Sequence, residues 1–254
     1  MENIYIVILV IVCVTIYLVG GGNKFEYMGG EAVDDYLSEV PIFIINLKAR
    51  RERKRLAVRE MRKHNISAEV VNGIDGNSLD RGELIRHGLI DDETGYRKLR
   101  KGEIGCYFSH LRCWELIWRT GKEYGIVLED DVVLDDNFRG KFNRLLSDLE
   151  GVRWDYICLG RRCNRRWFND RDCDHGKEIV KNIYYPSLMG YATFAYVIKR
   201  DVIKRLMKGT FPIAKPVDVV VLEENDKGEI KSVILGRDLI RVRNIEDSDT
   251  VKIK

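Results

Sequence analysis

Three consecutive carboxylates, Glu129-Asp130-Asp131, close the apolar run Gly125-Ile126-Val127-Leu128. Like charges packed at a strand end repel one another, so a cation or ordered donors must compensate them. Open α/β sheets bind their ligands beyond the carboxyl ends of the strands. Oxygen ligands with no neighbouring His or Cys in the sequence suit a hard divalent ion, Mn²⁺ or Mg²⁺. The alternative is a solvated turn, since Asp135-Asp136 follows closely. An EF-hand loop is excluded because Val132 and Val133 interrupt the alternating acidic positions.

A second constellation runs Lys101-Gly102-Glu103-Ile104-Gly105-Cys106-Tyr107-Phe108-Ser109-His110. Gly102 and Gly105 fall in the first turn of an expected helix, where backbone N–H groups can approach a phosphate. A plain glycine cap is the competing reading. His110 lies one turn further on, as a catalyst or a packed core residue. The third feature is a basic run from Lys48 to Lys63. It is mostly a solvated helix face, with Arg53 placed to reach a diphosphate at the strand end. A fourth cluster, Arg161, Arg162, Arg165 and Arg166 with Trp167 and Phe168, reads as an exposed loop.

These residues need a scaffold. Ile42–Leu47, Ala68–Val71, Gly125–Leu128, Tyr156–Leu159 and Thr193–Ile198 read as short buried strands. Helices are expected over residues 50–63, 103–119, 138–149 and 201–207. The second carries apolar residues at Ile104, Tyr107, Phe108, Leu111, Trp114 and Trp118. Strands alternating with helices predict a three-layer α/β domain with a mostly parallel central sheet. Residues 73–100, rich in Gly, Asp and Arg, read as a long functional loop region.

The chain has 254 residues, 45% hydrophobic and 33% charged, enough for one α/β domain of about 200–250 residues. Its 43 basic and 40 acidic residues balance to +3, so charge gives no reason to expect a nucleic-acid partner. Residues 4–19 are uncharged and almost wholly apolar. With Gly20-Gly21-Gly22 they form a 19-residue stretch, about 28 Å as a helix. The expected organisation is a transmembrane anchor at 1–22, a juxtamembrane linker at 23–40 and a catalytic domain at 41–254. Membrane localisation with one pass follows from it. A cleaved signal peptide is the rival reading. Cys158, Cys163 and Cys173 read as loop cysteines with at most one disulfide. Zinc at Cys163, Cys173 and His175 is the weaker alternative.

Taken together, these segments resemble glycosyltransferase family 25, which includes bacterial lipooligosaccharide galactosyltransferases and procollagen galactosyltransferases. The resemblance begins with Ile45-Asn46-Leu47 and Arg53, and continues in Asn72-Gly73-Ile74-Asp75-Gly76. Its strongest part is Gly102-Glu103-Ile104-Gly105-Cys106, then Ser109-His110 and Trp114. Leu128-Glu129-Asp130-Asp131, Trp154-Asp155, Thr193–Ile198, Pro216-Val217-Asp218 and Asp247-Ser248-Asp249 follow in order. Lys48 and Ala49 depart from the family's usual pair.

The resemblance implies a GT-A-like nucleotide-sugar fold, with inverting transfer of galactose or glucose from a UDP-sugar to a hydroxyl of a glycan, glycolipid or protein. It implies a metal at Asp130 and Asp131, and donor or acceptor contacts from Asn46, Arg53, Asp75, Gly102, Glu103, Gly105, Ser109, Glu129 and Asp130. Asp218 is the candidate general base, or equally a metal or substrate ligand, with His110 as a second catalytic residue. Two alternatives stand beside this. One is an inactive, membrane-tethered glycosyltransferase-like binding protein, and the other a metal-dependent phosphoryl-transfer enzyme.

Overall fold

Strand β1 (Ile42–Leu47) is buried along nearly its whole length, as an interior parallel strand must be. The computed structural model describes residues 35–95, 97–161, 175–187 and 193–243. In chain order it places α1 (Tyr36–Glu39), β1, α2 (Arg51–Lys63), β2 (Glu69–Gly73), a 3₁₀ turn (Gly76–Ser78), α3 (Arg81–Arg86) and α4 (Lys101–Thr120). There follow β3 (Tyr124–Glu129), β4 (Val132–Leu134), α5 (Phe138–Asp148), β5 (Tyr156–Cys158), β6 (Lys177–Val180) and β7 (Ile183–Tyr185). The last elements are β8 (Ala195–Lys199), α6 (Arg200–Lys208), α7 (Val217–Asp226), β9 (Ser232–Leu235) and β10 (Ile240–Val242).

Eight strands form one sheet in the order β2-β1-β3-β8-β5-β9-β7-β6. The β1–β2, β1–β3 and β5–β9 junctions are parallel, and those of β8 with β3 and β5 are antiparallel. The β7–β9 and β6–β7 junctions are antiparallel too. The sheet is therefore mixed, where the alternation of strands and helices suggested mostly parallel pairing. The expected parallel character survives at β2-β1-β3, the edge from which the acidic residues emerge. A separate two-stranded ribbon pairs β4 with β10.

Helices cover both faces. One core packs Trp114 and Ile117 of α4, Val202 and Ile203 of α6, and Val221 of α7 against Val127 and Tyr196 of the sheet. The other packs Ala57 and Met61 of α2, and Phe142 and Leu145 of α5, against Ile44 and Ile126. Each large apolar side chain buried this way contributes about 1.5–3 kcal/mol of transfer free energy. Helix α4 stops at Gly121, whose φ of 73° is the left-handed cap that only glycine adopts without strain. The stretch 73–100 is more ordered than its composition suggests: it holds the 3₁₀ turn and α3, whose N-cap Asp80 accepts a hydrogen bond from Glu83 N at 3.0 Å.

The single-pass membrane localisation is not sustained. Among the described residues no helix is long and apolar enough to cross a membrane. The stretch 4–22, from which the anchor was expected, lies outside the described residues, as do most of the 161–168 basic loop, Cys163, Cys173 and Asp247–Asp249.

Candidate functional site

Register builds the centre of the site. In the parallel β1–β3 pair Ile45 stands beside Glu129, so the next residues, Asn46 and Asp130, emerge together. Asn46 Nδ2 donates to Asp130 Oδ2 at 2.5 Å and to Arg50 O at 3.1 Å. Arg53, near the start of α2, reaches back with Nη2 at 2.6 Å from Asp130 Oδ1 and 2.7 Å from Asp131 Oδ2. Asn46, Asp130 and Asp131 are all buried. Beyond them Arg243 N donates to Asp131 O at 2.7 Å, tying the β4–β10 ribbon to the cluster.

This answers how the carboxylates are compensated. A guanidinium of the protein itself spans Asp130 and Asp131, and Asn46 satisfies a further oxygen. A divalent ion on the same oxygens would have to displace Arg53, so the pair as arranged does not fit the expected Mn²⁺ or Mg²⁺. Arg53 is likewise committed to these carboxylates rather than presented to a diphosphate.

The glycines of the second motif work by close approach. A Cβ on Gly105 would lie 2.4 Å from Ile74 O and 2.5 Å from Gly76 N. One on Gly76 would lie 1.7 Å from Lys101 O. The first turns of α4 and the loop 74–78 therefore pack backbone to backbone. Ser109 bridges them, donating to Gly105 O at 2.7 Å and accepting from Ile74 N at 2.8 Å. Asp75 is exposed and caps the 3₁₀ turn, accepting from Asn77 N at 2.9 Å. Gly105, Ser109 and Asp75 thus all make contacts within the scaffold. Gly102 sits in the first turn, as expected.

At the start of α4 the buried Glu103 accepts from Arg97 Nη1 and Nη2 at 2.8 and 2.6 Å and from Arg100 N at 2.8 Å. Burial alone would raise its pKa, but the bonds from Arg97 and Arg100 prevail and hold it below the usual carboxylate value. Asp218, in the first turn of α7, accepts from Val219 N at 2.9 Å. Burial raises its pKa, the charge of Glu103 adds to the rise, and Arg97 opposes it. A carboxylate so raised is a stronger base than a solvated one.

His110 departs from the expected role of an acid–base catalyst. It is fully buried in the core, and burial pushes its pKa down to about 3. Its Nδ1 lies 2.8 Å from Tyr196 Oη, and that oxygen accepts from Trp114 Nε1 at 2.8 Å. Nε2 is buried without a hydrogen-bond partner. Cys106, His110 and Glu129 bring one potential ligand atom each to within 4.8 Å of one another. Cys106, one turn before His110, reads from sequence as core packing; only its i, i+4 relation to His110 hints otherwise. Arg97 is a further site residue that no motif signals, and Tyr196 lies within the Thr193–Ile198 stretch without being singled out there.

The candidate site of this α/β fold thus comprises a buried acidic strand end, a helix N-terminus pinned against a glycine loop, and a carboxylate of raised pKa. The model of "Glycosyltransferase family 25 (LPS biosynthesis protein)" matches residues 39–221, and the chain belongs to this family. It is 36% identical over 129 residues to "Probable inactive glycosyltransferase 25 family member 3" of Rattus norvegicus, covering 48% of this chain and 22% of the relative. It is 28% identical over 211 residues to "Procollagen galactosyltransferase 2" of Mus musculus, covering 78% and 33%. The chain thus spans a third or less of the length of these relatives. Among solved structures, a glycosyltransferase involved in glycosylation of the major capsid of PBCV-1 aligns at a TM-score of 0.39 and 14% identity, covering 78% of this chain and 82% of the other.

Proposed function

We propose that the protein transfers a hexose, galactose or glucose, from a UDP-sugar to a hydroxyl of a glycan, glycolipid or protein, with inversion at the anomeric carbon. The observation that carries the reading is Asp218: a half-buried carboxylate with a raised pKa, within the field of Glu103 and Arg97 at the head of α4. In one displacement the acceptor oxygen attacks the anomeric carbon, its proton passes to Asp218, and the sugar–phosphate bond breaks toward UDP. Negative charge grows on the departing diphosphate. Arg97 and Arg100, both partly exposed, pair with Glu103 at the head of α4 and would have to exchange that carboxylate for the diphosphate to meet it. No step is routed through an ion at Asp130 and Asp131. The test is a donor screen by UDP release on the full chain, with and without Mn²⁺. Turnover of a UDP-hexose, lost in Asp218→Asn, supports the reading; no turnover of any donor overturns it.

A second reading has its own observation. Arg53 spans both carboxylates at which the family resemblance puts a metal, and curated relatives include members described as inactive. A chain that binds UDP but turns over no donor would be such a non-catalytic member.

A further inference from the structure

We propose that Cys106, His110 and Glu129 form a Zn²⁺ site, separate from the Asp130–Asp131 pair and independent of the transferase reading. Cys106 and His110 are four residues apart on α4, so they share one face of the helix, one above the other. Glu129 ends β3, the strand packed beneath. Their ligand atoms already lie within 4.8 Å of one another. Tetrahedral zinc with bonds of about 2.0–2.3 Å needs such atoms roughly 3.3–3.8 Å apart. Zn²⁺ binding would have to close that gap by rotamer changes at Glu129 and Cys106, both half-buried.

His110 makes the cluster more than a coincidence of residue types. Its ring is wholly buried, yet Nε2 has no hydrogen-bond partner among the described residues. The opposite nitrogen is fixed by Tyr196 Oη, which Trp114 Nε1 and the stacked ring of Tyr156 hold in turn. Zn²⁺ at Nε2 would select the tautomer in which Nδ1–H donates to the Tyr196 oxygen, giving the buried Nε2 a ligand. A ligand histidine is ordinarily oriented by just such an outer hydrogen bond. The mixed sulfur, nitrogen and oxygen set selects zinc over Mg²⁺ or Mn²⁺, which prefer all-oxygen surroundings. Three protein ligands leave a fourth position for water or a substrate oxygen.

The test uses the full chain, stripped with a chelator and titrated with Zn²⁺ alone by calorimetry in excess Mg²⁺. Co²⁺ serves as an optical probe of thiolate ligation. One ion per chain, a near-ultraviolet thiolate–cobalt band and a zinc-dependent rise in Tm are expected. Cys106→Ser should abolish the band, and Cys106→Ser and Glu129→Gln should each weaken Zn²⁺ by on the order of 100-fold or more. Cys158→Ser, which removes a buried thiol outside the cluster, should keep band and affinity. Circular dichroism checks the fold of each variant, and Glu129→Gln carries the test should Cys106→Ser fail to fold. No stoichiometric ion, or affinity and band unchanged in Cys106→Ser or Glu129→Gln, overturns the site. The UDP-release screen is a separate readout, so either idea can fail without the other.

Discussion

Arg53 Nη2 lies 2.7 Å from Asp131 Oδ2, an ion pair across 78 residues of sequence that joins the first turn of α2 to the end of β3. The same nitrogen meets Asp130 at 2.6 Å. Arg53→Ala would take the bridging guanidinium away from two buried carboxylates. Removing one partner of a buried pair costs about 3–5 kcal/mol. Urea denaturation should therefore show a loss of that order. An unchanged midpoint would mean that Arg53 is no structural counter-ion.

Gly105 is a position where a single methyl group decides the packing. Its Cβ would stand 2.4 Å from Ile74 O and 2.5 Å from Gly76 N, and both are backbone atoms with little room to retreat. Gly105→Ala should destabilise by about 1–3 kcal/mol. Gly209→Ala, which meets nothing within 4 Å, should change stability by less than about 0.5 kcal/mol. Equal effects of the two would remove the packing argument.

His110 gives the metal-free protein a pH dependence whose sign follows from its depressed pKa. At pH values between about 3 and the ordinary 6.5, the unfolded chain takes up a proton that the folded core refuses. Stability from this group is complete above about 6.5 and falls with pH until about 3. The slope is about 1.4 kcal/mol per pH unit. Proton NMR of the four histidines should show His110 not titrating between pH 7 and 5. A midpoint near 6.5 for His110 would contradict its burial.

What the sequence makes legible here is periodicity. The apolar face of α4 and the runs at β1 and β3 predict their elements within a residue or two, because burial acts directly on residue type. That β1 lies beside β3, so that Asn46, Asp130 and Asp131 converge, comes from the strand order and is not legible in the sequence. Partner choice is not legible. Arg53 is one of nine basic residues between Lys48 and Lys63, and only the register of two strands selects it as the bridge. Helix α7 is hidden because Val217, Val219, Val220 and Val221 favour strands, and tertiary packing against α4 overrides that preference. The roles of Gly105 and Ser109 are hidden too. Spacing shows a glycine at a helix start, but not that the loop 74–78 lies against it.

Asp218 carries the catalytic prediction, and its pKa fixes the direction. Burial and Glu103 raise it above an ordinary carboxylate, and a general base works only when ionised. Transfer should therefore increase with pH through that raised value, with an acid limb shifted upward from the range of a solvated aspartate. Asp218→Asn removes the base while keeping the side chain's size and its acceptor for Val219 N. It should lower kcat by about 10²–10⁴-fold, with the donor's KM little changed and the acid limb gone. A variant that lost KM instead would make Asp218 a binding residue. One that kept wild-type kcat would move the proton transfer to another group.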